Sequence, residues 1–188
     1  MVIKEKLITA DEFWQMILKG EIDEKGTELI EGILHPMPPT GWEHGNIASE
    51  LDMIIRMFVK KHKLGKTTAA ETGFRLEKDV VVAPDVAFIR ADRIPDEIPQ
   101  GFVPFAPDFA VEVMSPNNTA TEMSRKVDLL AKHGTKLIWI VHPSTKKVDV
   151  YQVVNGTVKI EFLSIKDTLT GGDILPGFKL ALSDLFDA

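Results

Sequence analysis

The order of apolar patterns along this chain is the feature that most restricts its fold. Residues 44–62 and 119–133 repeat apolar side chains at the spacing of amphipathic helices. Short apolar runs of strand length occupy residues 67–76, 80–89, 108–114 and 137–141. The order is therefore one helix, three strands, a second helix and a fourth strand. It predicts an α/β fold in which a mixed central sheet is flanked by two helices.

Both ends of the chain add elements to this predicted core. The dipeptide Asn155-Gly156 favours a two-residue hairpin turn, so we expect a hairpin between strands 148–153 and 158–163. The remaining expected elements are a helix at 9–19, a strand at 27–39, an irregular proline-containing loop at 91–107, a closing segment at 174–180 and a helical turn at 183–186. We expect the terminal strands to extend the central sheet.

Length and composition restrict the class of protein. With 188 residues, 44% of them hydrophobic and 27% charged, the chain is expected to form one domain over residues 1–188. Its net charge of −6 excludes a generally basic protein that coats nucleic acid. The lack of cysteine excludes disulfides, thiolate zinc sites and cysteine nucleophiles. No signal peptide and no apolar run of ~18 residues is found, so a cytoplasmic protein is expected.

Charge is distributed unevenly along the sequence. Residues 79–112 carry seven acidic and two basic side chains, whereas residues 54–78 carry seven basic and two acidic ones. Residues 116–147 are again basic, with six basic and two acidic side chains. Metal ions need carboxylates and phosphates need cations, so this arrangement is what a metal site on a polyanionic substrate requires. The alternative interpretation is an ordinary, patchy solvated surface.

Two carboxylates interrupt runs that are otherwise apolar enough for buried strands. Asp85 lies within VVVAPDVAFI and Glu112 within FAVEVM. Strand alternation puts Glu112 on the same face as Ala110 and Met114, which indicates a partly covered cleft. A buried carboxylate is costly unless it is paired or binds a metal. Each acid could instead reach solvent at the edge of a sheet.

Lys126 is the third polar residue in an unexpected place. At ~100° per residue, it lies at the border of the apolar stripe of the predicted helix 119–133, whereas Arg125 lies at the back of that helix. A lysine at this border can direct its ammonium group toward whatever the helix packs on. Alternatively, it extends to solvent or pairs with Glu122 one turn away.

Together these residues resemble a known family. The chain resembles the PD-(D/E)XK phosphodiesterase superfamily in two motifs, Pro84-Asp85 at the end of one strand and Glu112 in the next. Within that superfamily it is similar to the Uma-two family of restriction-endonuclease-like proteins. The matching stretches, in order, are Glu28-Leu29-Ile30-Glu31-Gly32, His44, residues 83–88, residues 107–116, Lys126, Gly134, Trp139-Ile140-Val141 and Leu175-Pro176-Gly177-Phe178.

The resemblance implies a restriction-endonuclease-like core and a metal-dependent endonuclease. Asp85 and Glu112 would bind Mg²⁺ or Mn²⁺, and Glu31 would be a further ligand or a base that orients water. The superfamily lysine expected two residues after the second acid is replaced by Met114, and Lys126 is the matching lysine of the Uma-two pattern. His44 and Asp108 are supporting candidates. The implied substrate is nucleic acid, DNA in the first place.

Other functional classes remain open from the sequence. The chain could be a non-catalytic relative of the fold that serves as a structural or interaction module, or it could bind a small anionic ligand in the same cleft. A homodimer is expected by analogy with small nucleases that cut both strands of a duplex. His residues at HExxH spacing and a phosphate-binding GxxxxGK[ST] loop are both missing, which argues against a zinc protease and an NTPase.

Overall fold

The computed structural model describes residues 7–22, 26–116 and 118–187. The helices are α1 (Ala10–Leu18), α2 (Trp42–His62), α3 (Ala120–Lys132) and α4 (Leu182–Phe186), with 3₁₀ turns at Ala91–Arg93 and Pro143–Thr145. The strands are β1 (Thr27–Ile30), β2 (Ile33–Pro36), β3 (Gly65–Ala69), β4 (Phe74–Glu77), β5 (Val80–Val82), β6 (Val86–Arg90), β7 (Phe109–Val113), β8 (Leu137–His142), β9 (Lys147–Val154), β10 (Thr157–Ser164), β11 (Thr168–Thr170) and β12 (Lys179–Ala181).

A six-stranded mixed sheet forms the centre of the molecule. Its strand order is β10-β9-β8-β7-β6-β3, and β7 and β8 are its parallel pair. Parallel neighbours need a crossover connection, which α3 provides between β7 and β8. The predicted mixed sheet is confirmed, and the hairpin around Asn155-Gly156 extends it as β9 and β10.

The two long helices cover opposite faces of this sheet. Phe109, Val111 and Val113 alternate along β7 and belong to the core under α2. Ala110 points the other way and belongs to the core under α3. This is the period of two that a strand imposes on its side chains, and it places Glu112 on the α3 face. The predicted flanking helices are therefore confirmed.

Three expected strands are each divided in two: two of them where the chain passes between the central sheet and a second sheet, and the third at a hairpin turn. Residues 67–76 divide into β3 and β4 at a turn where Glu71 has φ +72°, and residues 80–89 divide into β5 and β6 at Ala83-Pro84-Asp85. Residues 27–39 form the hairpin β1–β2, whose turn has positive φ at Glu31 and Gly32.

The separated pieces form a second, four-stranded sheet. Its order is β2-β1-β5-β4, so the amino-terminal strands do not extend the central sheet as expected. The expected closing segment at 174–180 contributes only β12, which pairs with β11. The loop expected at 91–107 is irregular apart from one 3₁₀ turn. Among the described residues, no helix has the length and apolar character needed to cross a membrane.

Candidate active site

A cluster of charged side chains is buried between the two larger sheets and α3. Glu28, Glu112 and Lys126 are only 4–6% exposed. Charged residues are almost never buried to this extent unless they are paired. The burial of these three therefore requires that their charges be satisfied by one another or by a ligand.

Three different elements deliver these side chains to one place. Glu112 is on the α3 face of β7, and Glu28 is on β1 of the second sheet. A capping box between Thr119 and Glu122 fixes the start of α3, and Lys126 follows on its buried face. Lys126, which is predicted to lie at the border of the apolar stripe, is therefore buried in the structure.

Lys126 is the point where the ion pairs converge. Its Nζ lies 2.8 Å from Glu112 Oε2 and 3.0 Å from Glu28 Oε1. Glu28 Oε1 also accepts a hydrogen bond of 2.7 Å from the backbone N–H of Ala83. The side chain of Glu122, the alternative partner that the sequence offered, instead accepts hydrogen bonds from the backbone N–H and the hydroxyl of Thr119 at the start of α3.

Asp85 lies beside this cluster, at the point where the chain enters the central sheet. It immediately precedes β6, the neighbour of β7, and the backbone N–H of Val113 donates to its Oδ2 at 2.7 Å. His44, in the first turn of α2, places Nε2 3.3 Å from the same oxygen. The structure therefore brings together four of the predicted residues: Asp85, Glu112, Lys126 and His44.

The electrostatics of the cluster reflect burial and an excess of negative charge. Burial raises the pKa of Glu112 to about 8; Lys126 opposes this shift, while Asp85 and Glu28 reinforce it. Burial would lower the pKa of Lys126, but the charges of Glu112 and Glu28 and their hydrogen bonds raise that pKa above its usual range. Lys126 is consequently a permanent cation at neutral pH.

The donor set fits a hard divalent cation. Glu112 Oε1 is buried and has no hydrogen-bond partner among the described residues, so the carboxylate has an oxygen free to bind a cation. No group of three or more His, Cys, Asp or Glu side chains with metal-binding geometry occurs in the part of the chain that the structure describes. Mg²⁺ is typically held by one or two carboxylates together with water and substrate phosphate, which is what Asp85 and Glu112 offer.

Two of the predicted site residues form ion pairs outside the cluster. Glu31 occupies the β1–β2 turn; its side chain is 68% exposed, and Arg125 pairs with it at 2.8 Å. Asp108 precedes β7 at the end opposite Glu112, ~13 Å away at the rise of a strand. It pairs with Arg93 at 2.8 Å and accepts the backbone N–H of Arg90. Among the described residues, Glu31 and Asp108 thus pair with arginines and not with the members of the cluster.

Two residues are not singled out by the sequence: Glu28, which belongs to the cluster, and Trp42, which is exposed at the start of α2. Glu28 and Glu31 share the stretch ELIEG, but the positive φ of Glu31 puts it in a turn, whereas Glu28 lies within the strand. Trp42 begins α2 two residues before His44 and is 88% exposed, although tryptophan usually packs in cores. No local pattern in the sequence distinguishes this exposed tryptophan from a packed one.

Comparisons with known proteins bear on this geometry. The model of the Uma2 family, described as "putative restriction endonuclease", matches residues 10–183. A solved structure described as a putative nuclease belonging to DUF820, from Anabaena variabilis ATCC 29413, is similar to the chain with a TM-score of 0.80 and 26% sequence identity. The match covers 96% of this chain and 98% of the other. No curated protein matches the chain.

Proposed function

Because the chain belongs to the Uma2 family of putative restriction endonucleases, we propose that it is a metal-dependent phosphodiesterase that hydrolyses nucleic acid, in the first place DNA. The observation that carries the proposal is the pair of acids Asp85 and Glu112 beside a buried lysine, with one oxygen of Glu112 unpartnered among the described residues. The family and the similar solved structure support a nuclease role.

Asp85 and Glu112 are the residues proposed to hold Mg²⁺ or Mn²⁺. Such a cation would act as a Lewis acid that lowers the pKa of bound water and offsets negative charge on the scissile phosphate. Two contacts orient the Asp85 carboxylate, namely the hydrogen bond from the Val113 backbone and the approach of His44 Nε2. Because both fall on Oδ2, they leave Oδ1 as the oxygen available to a ligand.

Lys126 acts in this proposal as a fixed positive charge. Since its pKa is raised, it keeps its proton at neutral pH and cannot serve as a general base there. It instead pairs with Glu28 and Glu112 and positions water or a phosphate oxygen by donating hydrogen bonds. Glu28 is a positioning residue, because it holds Lys126 while being held itself by the Ala83 N–H.

Contacts with the nucleic-acid backbone are assigned to exposed basic side chains. Arg125 lies near the site, and Lys60, Lys61 and Lys63 lie at the far end of α2. At the rise of an α-helix, His44 and His62 are ~27 Å apart, which corresponds to ~8 base pairs of duplex. The basic segment 54–78 is therefore suited to hold substrate at a distance from the reacting phosphate. The exposed indole of Trp42 offers a surface on which a base can stack.

We include a homodimer and a cytoplasmic location in the proposal. Cleavage of both strands of a duplex is served by two sites related by twofold symmetry. A nuclease must also share a compartment with its substrate.

A non-catalytic module is the second candidate function. The observation that favours it is the mutual satisfaction of Lys126, Glu112 and Glu28, an arrangement that could simply tie the two sheets to α3. Such a module would keep the ion pairs without needing a cation on Glu112 Oε1.

Cleavage of a supercoiled plasmid and of single-stranded DNA, each with Mg²⁺, with Mn²⁺ and with EDTA, tests the proposal. We expect metal-dependent cleavage that Asp85→Asn and Glu112→Gln abolish and that Asp108→Asn retains. Mn²⁺-dependent thermal stabilisation, measured in parallel, provides a readout other than activity. A site filled at ~100 times its dissociation constant gains ~2.7 kcal/mol. A protein with neither cleavage nor stabilisation would support the non-catalytic module.

A further inference from the structure

The outer edge of the central sheet carries an exposed apolar stripe. β10 is the edge strand in the order β10-β9-β8-β7-β6-β3. Val158, Ile160 and Phe162 alternate along it and are 40%, 50% and 72% exposed. Ile160 pairs with Tyr151, which packs against the core under α3, so the stripe lies on the α3 face of the sheet. α3 leaves these three side chains open to solvent.

A long apolar edge of this kind is a site for adding a strand. Edge strands present unpaired N–H and C=O groups, and natural proteins usually shorten, bend or cover them. β10 spans Thr157–Ser164 and pairs with β9 along its whole length without a register shift. It contains no proline. The strand is therefore ready to pair with another strand along its free edge.

We propose that this edge binds the same edge of a second copy of the chain, so that two central sheets join as one continuous sheet across β10. The inference concerns where the homodimer of the proposed function forms, and it rests on that part of the proposal. It does not depend on the metal site or on catalysis.

The charge pattern of β10 supports a second copy as the occupant. In an antiparallel twofold pair centred on Ile160, residues whose numbers sum to 320 are opposite each other. Val158 then faces Phe162 of the second copy, and Lys159 faces Glu161 on the other side of the sheet. Apolar pairs and opposite charges placed directly across two strands are both stabilising. The strand is thus complementary to itself.

The same charges select this register over its neighbours. A twofold axis perpendicular to the sheet keeps the same face of both copies on the same side. Directly opposite residues share a face, so the axis must pass between two copies of the same residue. A centre at 159 would put Lys159 opposite Lys159, and a centre at 161 would put Glu161 opposite Glu161. Like charges directly opposite each other are destabilising. Of these three registers, only the one centred on Ile160 pairs every charge with its opposite.

Cysteine cross-linking tests the register directly, because the natural chain has no cysteine. In the proposed dimer the two copies of position 160 are directly opposite, with Cα atoms ~4.5–5.5 Å apart, which is within disulfide range. The two copies of position 162 are ~14 Å apart, four residues out of step. We expect Ile160→Cys to form a covalent dimer under mild oxidation and Phe162→Cys, the matched control, to remain uncross-linked.

Charge exchange tests the same interface without cysteine. Lys159→Glu and Glu161→Lys each create two like-charge pairs, and we expect each to raise the dimer dissociation constant ~10-fold or more. The double variant Lys159→Glu/Glu161→Lys restores the complementarity and should restore the dimer. Sedimentation equilibrium measures all four proteins, and far-ultraviolet circular dichroism verifies that the variants are folded.

Failure of this inference can be separated from failure of the proposed function. A dimeric mass without cross-linking at 160, or with equal cross-linking at 160 and 162, overturns the β10 interface and leaves the homodimer standing. Single charge variants that dimerise like the natural chain also overturn it. A monomeric natural chain at high micromolar concentration overturns both the interface and the homodimer, whereas the cleavage assay alone decides the nuclease proposal.

Discussion

Lys126 is the residue that permits two glutamates to be buried side by side. It faces Glu112 at 2.8 Å and Glu28 at 3.0 Å. The loss of one member of a buried ion pair leaves its partner charged and unsolvated, which is far more costly than the loss of a surface pair.

We therefore predict that Lys126→Ala lowers the free energy of unfolding by about 3–5 kcal/mol without metal. Added Mn²⁺ should recover much of this loss, because a cation on Glu112 replaces the missing positive charge. Arg125→Ala is the matched control on the adjacent position; it breaks an exposed pair with Glu31 and should cost ~1 kcal/mol or less. Chemical denaturation with EDTA and with Mn²⁺ measures both. Equal effects of the two variants would mean that Lys126 is an ordinary surface charge.

The pH dependence of stability should identify Glu112. Its pKa is raised to about 8 in the folded protein, whereas the ordinary value is 4.5. Between these values the folded state holds a proton that the unfolded state has released, so the free energy of unfolding falls as pH rises across this window. The glutamine of Glu112→Gln does not titrate, so this variant lacks the fall in stability across the window.

In EDTA, the melting temperature of Glu112→Gln relative to that of the natural chain should therefore rise by roughly 5–10 °C from pH 5 to pH 8. The control is Glu122→Gln, whose acid is exposed and whose pKa is lowered by the Thr119 backbone and side-chain hydrogen bonds. A constant difference between Glu112→Gln and the natural chain over this range would contradict the buried, protonated state.

The sequence was most informative where a charged residue contradicted its apolar surroundings. Asp85 and Glu112 interrupted strand patterns, and Lys126 bordered a helical stripe, so their grouping was predictable from local patterns. Glu28 was not, because the burial of a residue in a four-residue strand depends on which distant strand covers it. Here that strand is β5, which pairs with β1 although more than forty residues separate the two strands in the sequence.

At the scale of elements, the break between β5 and β6 builds the site. Ala83-Pro84-Asp85 carries the chain from the second sheet to the central sheet. Proline cannot donate a ladder hydrogen bond, so it favours a break in a run that is otherwise continuous in apolar character. The backbone of Ala83 then holds Glu28, and the side chain of Asp85 accepts from Val113, so one short connection links both sheets to the cluster.

The amino-terminal end of α2 supplies a second prediction at this scale. Trp42 is 88% exposed two residues from His44, and stacking on an aromatic ring is worth ~1–3 kcal/mol per base. Trp42→Ala should therefore weaken binding of single-stranded DNA ~10-fold, with less effect on duplex binding, where bases are stacked on each other. Met53→Ala removes another exposed apolar side chain of α2, ~16 Å along its axis and outside the basic segment, and should change neither affinity. Fluorescence anisotropy at fixed salt concentration measures both.

At the scale of the whole molecule, the order of elements was predictable and their partition between sheets was not. Local spacing of apolar residues predicts the two helices, 44–62 and 119–133. Turn chemistry predicts the hairpin at Asn155-Gly156. The separation of β1, β2, β4 and β5 into their own sheet depends on pairings between segments far apart in sequence, such as Leu29 with Val81. Periodicity within a strand contains no information about its partner.

The central claim is that Asp85 and Glu112 hold a divalent cation, and Mn²⁺ titration by isothermal calorimetry tests it most directly. We predict one site per chain in the natural protein and its loss in both Asp85→Asn and Glu112→Gln. The matched control is Asp108→Asn, because Asp108 is as buried as Glu112. Asp108 lies at the opposite end of β7 and pairs with Arg93, so this variant should retain the site. Absence of binding by the natural chain at millimolar Mn²⁺, or binding that survives both substitutions at Asp85 and Glu112, would contradict the claim.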